Sequence, residues 1–366
     1  MKNRTAIGVV LLSGILSISA ASARDLQYNT YQPSTHGAVQ VTEKLGGLLK
    51  EKSKGSLGLI VQSGGSVASG KATLSVISDG LIDAGLVTDV YVPGDLPNTV
   101  IGSNLALEGT NAFVMSAAMT EYALLNCPGC KSDLEKLNVI NLGHHSTGSY
   151  KLLCKPKVAT LSDLAGKKIK AAGPWTRLVA SWKASSVNIP FNDVYEGLER
   201  GQLDCAVAPD SALTDYGLYD VVSTVIDYPI GTYHGYHSFV INRDVWKSLP
   251  KADRDLLIAE MPMFIAKLAA VYEKANADAR AAAEAKGIKY RDAGEDLRQS
   301  IAAARTEGRA TALTDARKRG IQNPDESVAI FTGLVKKWND KIGDGPVDVD
   351  AFAAMLKSEI YDKTKF

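Results

Sequence analysis

The residues best able to do chemistry in this 366-residue chain are four cysteines and five histidines, and their spacing argues against most of it. Cys127-Pro128-Gly129-Cys130 has the spacing of a redox dithiol or of half a zinc site. A zinc site needs two further ligands at matched spacing, and no second Cys-x-x-Cys or His-x-x-x-His follows. A redox dithiol opens a helix after a buried strand, whereas this pair follows the helical run Ala112–Asn126. The histidines are His36, His144, His145, His234 and His237. Neighbours on a strand point to opposite faces, so His144 and His145 make a poor metal pair, and His234 and His237 do not share a face either. No metal site is expected. A Gly-x-Ser-x-Gly elbow, a His-Glu-x-x-His helix, a Walker loop and a Gly-x-Gly-x-x-Gly turn are all missing. Gly64, Gly65 and Gly70 read as turn residues. No catalytic set and no cofactor are expected, and enzyme is the weaker class.

Where the cysteines work depends on the first residues. Lys2 and Arg4 precede an apolar run from Ile7 to Ile18, and Ala21-Ser22-Ala23 gives the small-x-small pattern of a cleavage site before Arg24. Residues 1–23 are read as a signal peptide, and no cysteine follows to carry a lipid. The run is too short and too broken by glycine and serine for a membrane span. An exported chain meets an oxidising compartment, where an even cysteine count favours disulfides. Four cysteines allow three connectivities; Cys127–Cys130 with Cys154–Cys205 is preferred, because the last two lie in apolar segments able to neighbour as strands. With 41 basic and 40 acidic residues there is no basic excess, which excludes nucleic acid as a partner.

Short apolar runs alternate with amphipathic helices, the pattern of an α/β protein. Strands are predicted over Leu26–Tyr31, Leu57–Val61 and Ala84–Val87, with a helix between carrying Val41, Leu45, Leu48 and Leu49 at helical spacing and capped by Ser34 or Thr35. A second set follows at Tyr150–Cys154, Lys168–Ala171, Val187–Pro190, Cys205–Val207, Val221–Ile226 and His237–Ile241. Helices are predicted over Arg177–Ala184 and Asp193–Arg200. From Lys251 the chain turns to long helices, Ala252–Lys286 and Asp296–Arg319, with two more toward Phe366. The alanine-rich stretch Ala275–Ala285 reads as a surface strut. The division expected is 24–147 for a first lobe, 148–230 for a second, 231–250 returning to the first, and 251–366 for a lobe-spanning helix and its successors. Crossings near Gly143–Tyr150 and Ile230–His237 are candidate hinges.

Lys155-Pro156 after the strand Leu152-Leu153-Cys154 is followed by Thr160-Leu161-Ser162-Asp163-Leu164-Ala165-Gly166-Lys167-Lys168-Ile169-Lys170. Then come Asp193-Val194-Tyr195-Glu196-Gly197-Leu198-Glu199-Arg200-Gly201-Gln202-Leu203-Asp204 and Asn242-Arg243-Asp244-Val245-Trp246-Lys247-Ser248-Leu249-Pro250. With Gly80-Leu81-Ile82-Asp83 upstream, this succession resembles the substrate-binding subunit of tripartite ATP-independent periplasmic (TRAP) transporters, of the C4-dicarboxylate-binding type. The resemblance implies a type II-like two-lobed fold with a long lobe-spanning helix. It also implies a periplasmic, monomeric receptor that closes on a small molecule and hands it to a two-subunit permease driven by an ion gradient.

Many such proteins hold the ligand carboxylate with an arginine where this chain has Lys170, and relatives that bind sialic acid carry another near Ser149. A lysine keeps the charge and loses the planar fork; Arg177 is the candidate substitute. Phe191 and Tyr195 match positions that line or border the pocket. Strand ends facing the crevice add Gln32, Thr88, Tyr91, Trp175, Pro209, Tyr233 and His234. Asp89 and Asp210, also near strand ends, would serve a cation. A polar organic solute is expected, an acid by preference. The alternatives are an amine or zwitterion of the ethanolamine kind, or a ligand-binding sensor.

Overall fold

The computed structural model describes residues 24–109, 111–343 and 345–366; the signal peptide read at 1–23 lies outside the described residues. Strands β1 (Arg24–Asn29), β2 (Leu57–Gln62), β3 (Ala84–Thr88), β4 (Val139–Asn141) and β5 (His144–His145) come first. Next are β6 (Tyr150–Cys154), β7 (Lys168–Lys170), β8 (Ser185–Val187), β9 (Cys205–Pro209) and β10 (Thr224–Ile226). Finally β11 (Tyr236–Asn242) and β12 (Lys289–Arg291) each return to one of two sheets. One sheet has the order β2-β1-β3-β11-β4, with β5 also paired to β11; the other runs β12-β10-β6-β9-β7-β8. The chain is therefore an α/β protein of two lobes.

The first lobe opens as the parallel unit that the sequence predicts, β1 lying between β2 and β3. Helix Gly37–Lys52 crosses over it and buries Val39, Leu45 and Leu49, leaving Val41 and Leu48 half-buried at the margins. Its cap is neither Ser34 nor Thr35. His36 does the work, its Nδ1 accepting the Ala38 N–H at 3.1 Å.

Both disulfides form in the preferred pairing, Cys127–Cys130 and Cys154–Cys205. Cys154 and Cys205 are direct register partners on β6 and β9. They lie 51 residues apart, a loop whose closure in the unfolded chain is worth about 4 kcal/mol in the entropy model.

The long helix, Lys251–Ala285, spans the lobes. Its first half buries Leu257, Met261 and Ile265 on the first lobe, where Glu260 pairs with Lys52 at 2.5 Å. Its second half reaches the other lobe through Asn276, whose Oδ1 accepts the Ser211 N–H at 2.9 Å, and through Arg280, 2.6 Å from Asp227. Within the alanine-rich stretch 275–285 only Ala279 and Ala283 are buried while Ala281 and Ala282 face water, as expected of a strut. After it comes β12, which the sequence reading missed because Lys289 and Arg291 are exposed and leave no apolar alternation. Helix Glu295–Lys318 then straddles both lobes: Arg309 pairs with Glu108 at 2.7 Å, and Ser300 accepts the Trp182 indole N–H at 3.1 Å.

Candidate functional site

Two connections cross between the sheets side by side, residues 146–149 outward and 227–235 back. The Thr147 N–H donates to the Tyr233 carbonyl at 2.8 Å and the Tyr150 N–H to the Gly231 carbonyl at 2.7 Å. Gly231 has φ of +89°, and a Cβ there would stand 2.0 Å from the Ala106 carbonyl oxygen. Only glycine lets the return crossing lie so close.

The crossings bring strand ends of both lobes to one crevice, the place where open α/β sheets take ligands. Thr88, Val90, Tyr91, Tyr233 and Tyr236 line it from one side, with Tyr150, Lys170, Ala172, Trp175, Phe191 and Val207 facing them. Trp175 lies parallel to Tyr150 with centroids 4.7 Å apart, and its indole N–H donates to the Ile230 carbonyl at 2.8 Å. Tyr233 and Tyr236 meet edge to face at 4.6 Å. Behind them Tyr31 accepts from Thr88 at 3.2 Å and donates to Tyr236 at 3.4 Å.

The lobes stand closed: Lys71 Nζ donates to the Asn188 carbonyl at 3.2 Å and Thr35 Oγ1 to the Asp215 carbonyl at 3.3 Å. The void between the walls is about 20 Å³ by the centre of a water-sized sphere, room for one water. Any larger guest requires the lobes to part. A bigger groove of about 400 Å³ runs between helix Gly37–Lys52 and the long helix. Its cations Lys44 and Lys267 are exposed at an open rim and its acid Glu260 is already paired with Lys52, so nothing there fixes the orientation of a guest.

Lys170 ends β7 and is 6% exposed. Its ammonium stands 5.5 Å from the centre of the Phe191 ring and 5.9 Å from that of Tyr91. Among the described residues no carboxylate lies within 4.0 Å of it. Burial, and after it the nearby Lys71 ammonium, brings Lys170 down to about 8, so it remains largely charged at neutral pH. The buried acids are answered within the protein. Asp89 accepts from Ser103 and, at 2.8 Å, from Tyr233; burial raises it to about 7 against those two hydrogen bonds. Asp210 is paired with Lys151 at 2.6 Å.

Of the residues expected in the cleft, Thr88, Tyr91, Lys170, Trp175, Phe191 and Tyr233 line it. Gln32 lies behind the wall, donating to Tyr272 at 3.0 Å, and Pro209 is the register partner of Tyr150. Tyr195 is half-buried beside Gly217. Arg177 and His234 are turned elsewhere, which corrects their expected place. Arg177 is two residues beyond Trp175 on helix Trp175–Ser181, about 200° around the axis, and it pairs with Asp315 at 2.5 Å. His234 alternates with Tyr233 along extended chain; its Nε2 lies 2.9 Å from the Gly102 carbonyl and its ring stacks on Phe331. The sequence reading missed Val90, Tyr150, Ala172, Val207 and Tyr236. Tyr150 and Tyr236 each begin a strand at a crossing, a signal that was there to use.

This division predicts unequal effects of two neighbouring substitutions. Trp175→Ala should weaken ligand binding at least about tenfold, since it removes a buried aromatic wall worth more than ~1.4 kcal/mol. Arg177→Ala should change it less than about twofold, its ion pair being partly exposed. Titration calorimetry checks both, and equal losses would show that the cleft is misplaced.

Residues 28–309 match the DctP family model, described as bacterial extracellular solute-binding protein, family 7. The chain belongs to this family. A curated relative from Albidiferax ferrireducens, named a solute-binding protein, is 23% identical over 245 residues, covering 63% of this chain and 70% of its own. Among solved structures, a TRAP periplasmic solute-binding protein from Bordetella bronchiseptica with bound (R)- and (S)-mandelate superposes with a TM-score of 0.74 at 23% identity, over 86% of this chain and 99% of that one. A TRAP solute-binding protein from Rhodoferax ferrireducens with copurified benzoate gives 0.78 at 18%, over 87% and 100%. A marine-metagenome TRAP protein specific for aromatic acids, with 3-hydroxybenzoate, gives 0.77 at 18%, over 87% and 99%. This chain of the DctP solute-binding family thus shares their two-lobed fold. No described helix is long and apolar enough to cross a membrane.

Proposed function

We propose that this receptor captures a small aromatic monocarboxylate in the periplasm, as a monomer released by cleavage before Arg24, and delivers it to the membrane subunits of a TRAP transporter without altering it. One observation carries the ligand class. Lys170 is a buried cation with no protein anion beside it, set among flat aromatic walls. A buried charge is tolerated at such cost only when something answers it, and here the remaining partner is the ligand. A carboxylate would meet Lys170 while its ring enters between Trp175, Phe191 and the tyrosines. A single such cation favours one carboxylate over two. An amine has no comparable anchor, since Asp89 and Asp210 are already engaged. The mandelate, benzoate and 3-hydroxybenzoate held by the similar structures are of this chemical class.

A thermal-shift screen of the mature chain against benzoate, mandelate, succinate, ethanolamine and glycine betaine tests the reading. A ligand at about 100 times its dissociation constant adds ~2.7 kcal/mol. The aromatic acids should raise the midpoint and the amines leave it unchanged; the reverse order would sink the proposal.

A further inference from the structure

Cys127-Pro128-Gly129-Cys130 follows a helical run, which set it apart from redox dithiols in the sequence, but it also opens a helix. Helix Pro128–Lys136 carries Pro128 in its first turn and Cys127 as its cap. The Cys130 N–H donates to Cys127 Sγ at 3.1 Å. Two cysteines so spaced at a helix start are the arrangement that favours a thiolate. Asn98 holds the turn from outside. Its backbone and side-chain N–H groups donate to Asp133 at 3.0 and 2.9 Å, and a Cβ at Gly129 would stand 2.3 Å from Asn98 Oδ1.

The two disulfides differ in what can reach them. Cys154 and Cys205 are wholly buried on β6 and β9, strands with a neighbour on both sides. A thiolate reaches that bond only after the sheet has come apart. Cys127 keeps 8% of its surface against 1% for Cys130, and Pro128 beside it is exposed. Lys131 and Leu134 follow Cys127 by four and seven residues, the spacing of one helical face, and both line an open groove of about 300 Å³.

We propose that Cys127–Cys130 is a redox site: a dithiol reduces it in the folded receptor by attack at Cys127, while Cys154–Cys205 stays closed. The attacking thiolate forms an S–S bond to Cys127 Sγ as the Cys127–Cys130 bond breaks, and Cys130 leaves as a thiolate and takes up a proton. The second sulfur of the reductant, having lost its proton, attacks its own partner sulfur in the mixed disulfide and expels Cys127. Two electrons enter the receptor and the dithiol departs as a disulfide. The protons of its two thiols pass to Cys130 and to Cys127 or water.

The helix start serves the second step. The expelled Cys127 thiolate is received by the Cys130 N–H, already 3.1 Å from that sulfur, and by the positive end of the helix. Lys131 adds an exposed cation one turn on. A more stable leaving thiolate departs faster. Neither step requires the fold to open. The bridge spans a separation of 3 residues against 51 for the other, and its helix stays tied to Asn98 through Asp133.

The test uses the full mature chain, oxidised and folded, with dithiothreitol as the dithiol. Thiols are trapped with iodoacetamide after increasing times and located by peptide mass spectrometry. Cys127 and Cys130 should be labelled at least about tenfold faster than Cys154 and Cys205, since the buried pair waits on unfolding, and the circular dichroism should not change. Cys130→Ser, with Cys127 as its free thiol, should take up one glutathione from oxidised glutathione, and Cys127→Ser should react at least about tenfold more slowly at Cys130. Equal labelling of all four cysteines, or labelling of Cys127 and Cys130 only as the dichroism is lost, would overturn the site in favour of a structural bridge. Glutathione on Cys130 in preference to Cys127 would do the same. Where a variant does not fold, labelling of the wild-type chain decides alone.

Discussion

Replacing Lys170 by methionine should leave a folded chain that no longer holds a carboxylate. Methionine fills much of the same space, and the buried ammonium it removes has no anionic partner in the protein, so the fold loses no ion pair and sheds a desolvation cost. The ligand loses its counter-charge in a water-poor cleft. Truncating one partner of a buried charge pair costs about 2–5 kcal/mol, a drop of roughly 30- to 4,000-fold in affinity. Calorimetric titration with benzoate measures it, and unfolding by circular dichroism confirms the intact fold. A change under about threefold would place the anion elsewhere.

The same lysine sets an alkaline limit. With its own value lowered to about 8 by burial, it carries the charge below that pH and loses it above. Affinity should be flat around pH 7 and fall by up to about tenfold per unit above 8. In Lys170→Met the alkaline fall should vanish. Lys170→Arg keeps a charge through the alkaline range but brings a larger planar head into a void of about 20 Å³, so it should bind more weakly than wild type and without the fall above 8.

The parts of this molecule legible in sequence are those set by local period and chain order. The parallel opening unit and the long helix follow from the period and length of apolar runs, and the Cys154–Cys205 pair, preferred among three connectivities because both lie in apolar segments able to neighbour as strands, is the one formed. Lys170 was marked by the resemblance alone, standing where many such proteins place a carboxylate-binding arginine. The rest of the cleft was hidden because it is assembled across distance. Tyr236 lines it from the start of β11, backed by Tyr31 from just after β1 and Tyr272 from the long helix, and these rings gather only when three elements pack. Nothing in local spacing separates a tyrosine facing a cleft from one facing a core. Orientation within an element was likewise lost: Arg177 and His234 each sit one or two residues from a cleft residue and point away. The two carboxylates offered for a cationic guest, Asp89 and Asp210, were read correctly as lying near strand ends. Their partners Ser103 and Lys151, though, are non-local and could not be seen.

Lys151 is where that hidden pairing has its largest consequence for stability. It lies mid-strand on β6, and its ammonium meets Asp210 at 2.6 Å and Asp227 at 2.8 Å. Asp227 is also held at 2.6 Å by Arg280 of the long helix, and the Tyr290 ring lies under both cations, 5.2 Å from Lys151 and 4.4 Å from Arg280. The cluster joins β6, the end of β9, the segment after β10, the strut and β12. Its acids respond differently. Burial raises Asp210 against the attraction of Lys151, whereas for Asp227 burial is outweighed by its bonds to Lys151 and Arg280, which lower it. Lys151→Met removes the cation shared by both and leaves Asp210 buried without a counter-charge. Breaking a buried pair in this way costs about 3–5 kcal/mol, a fall of roughly 5 °C or more in the unfolding midpoint for a chain of this size. Asp210→Asn removes the stranded charge instead and should cost less, and the double variant should recover much of the loss. A drop for Lys151→Met no larger than that of an exposed pair such as Lys274–Asp278 would show that the cluster does not tie the strut to its lobe.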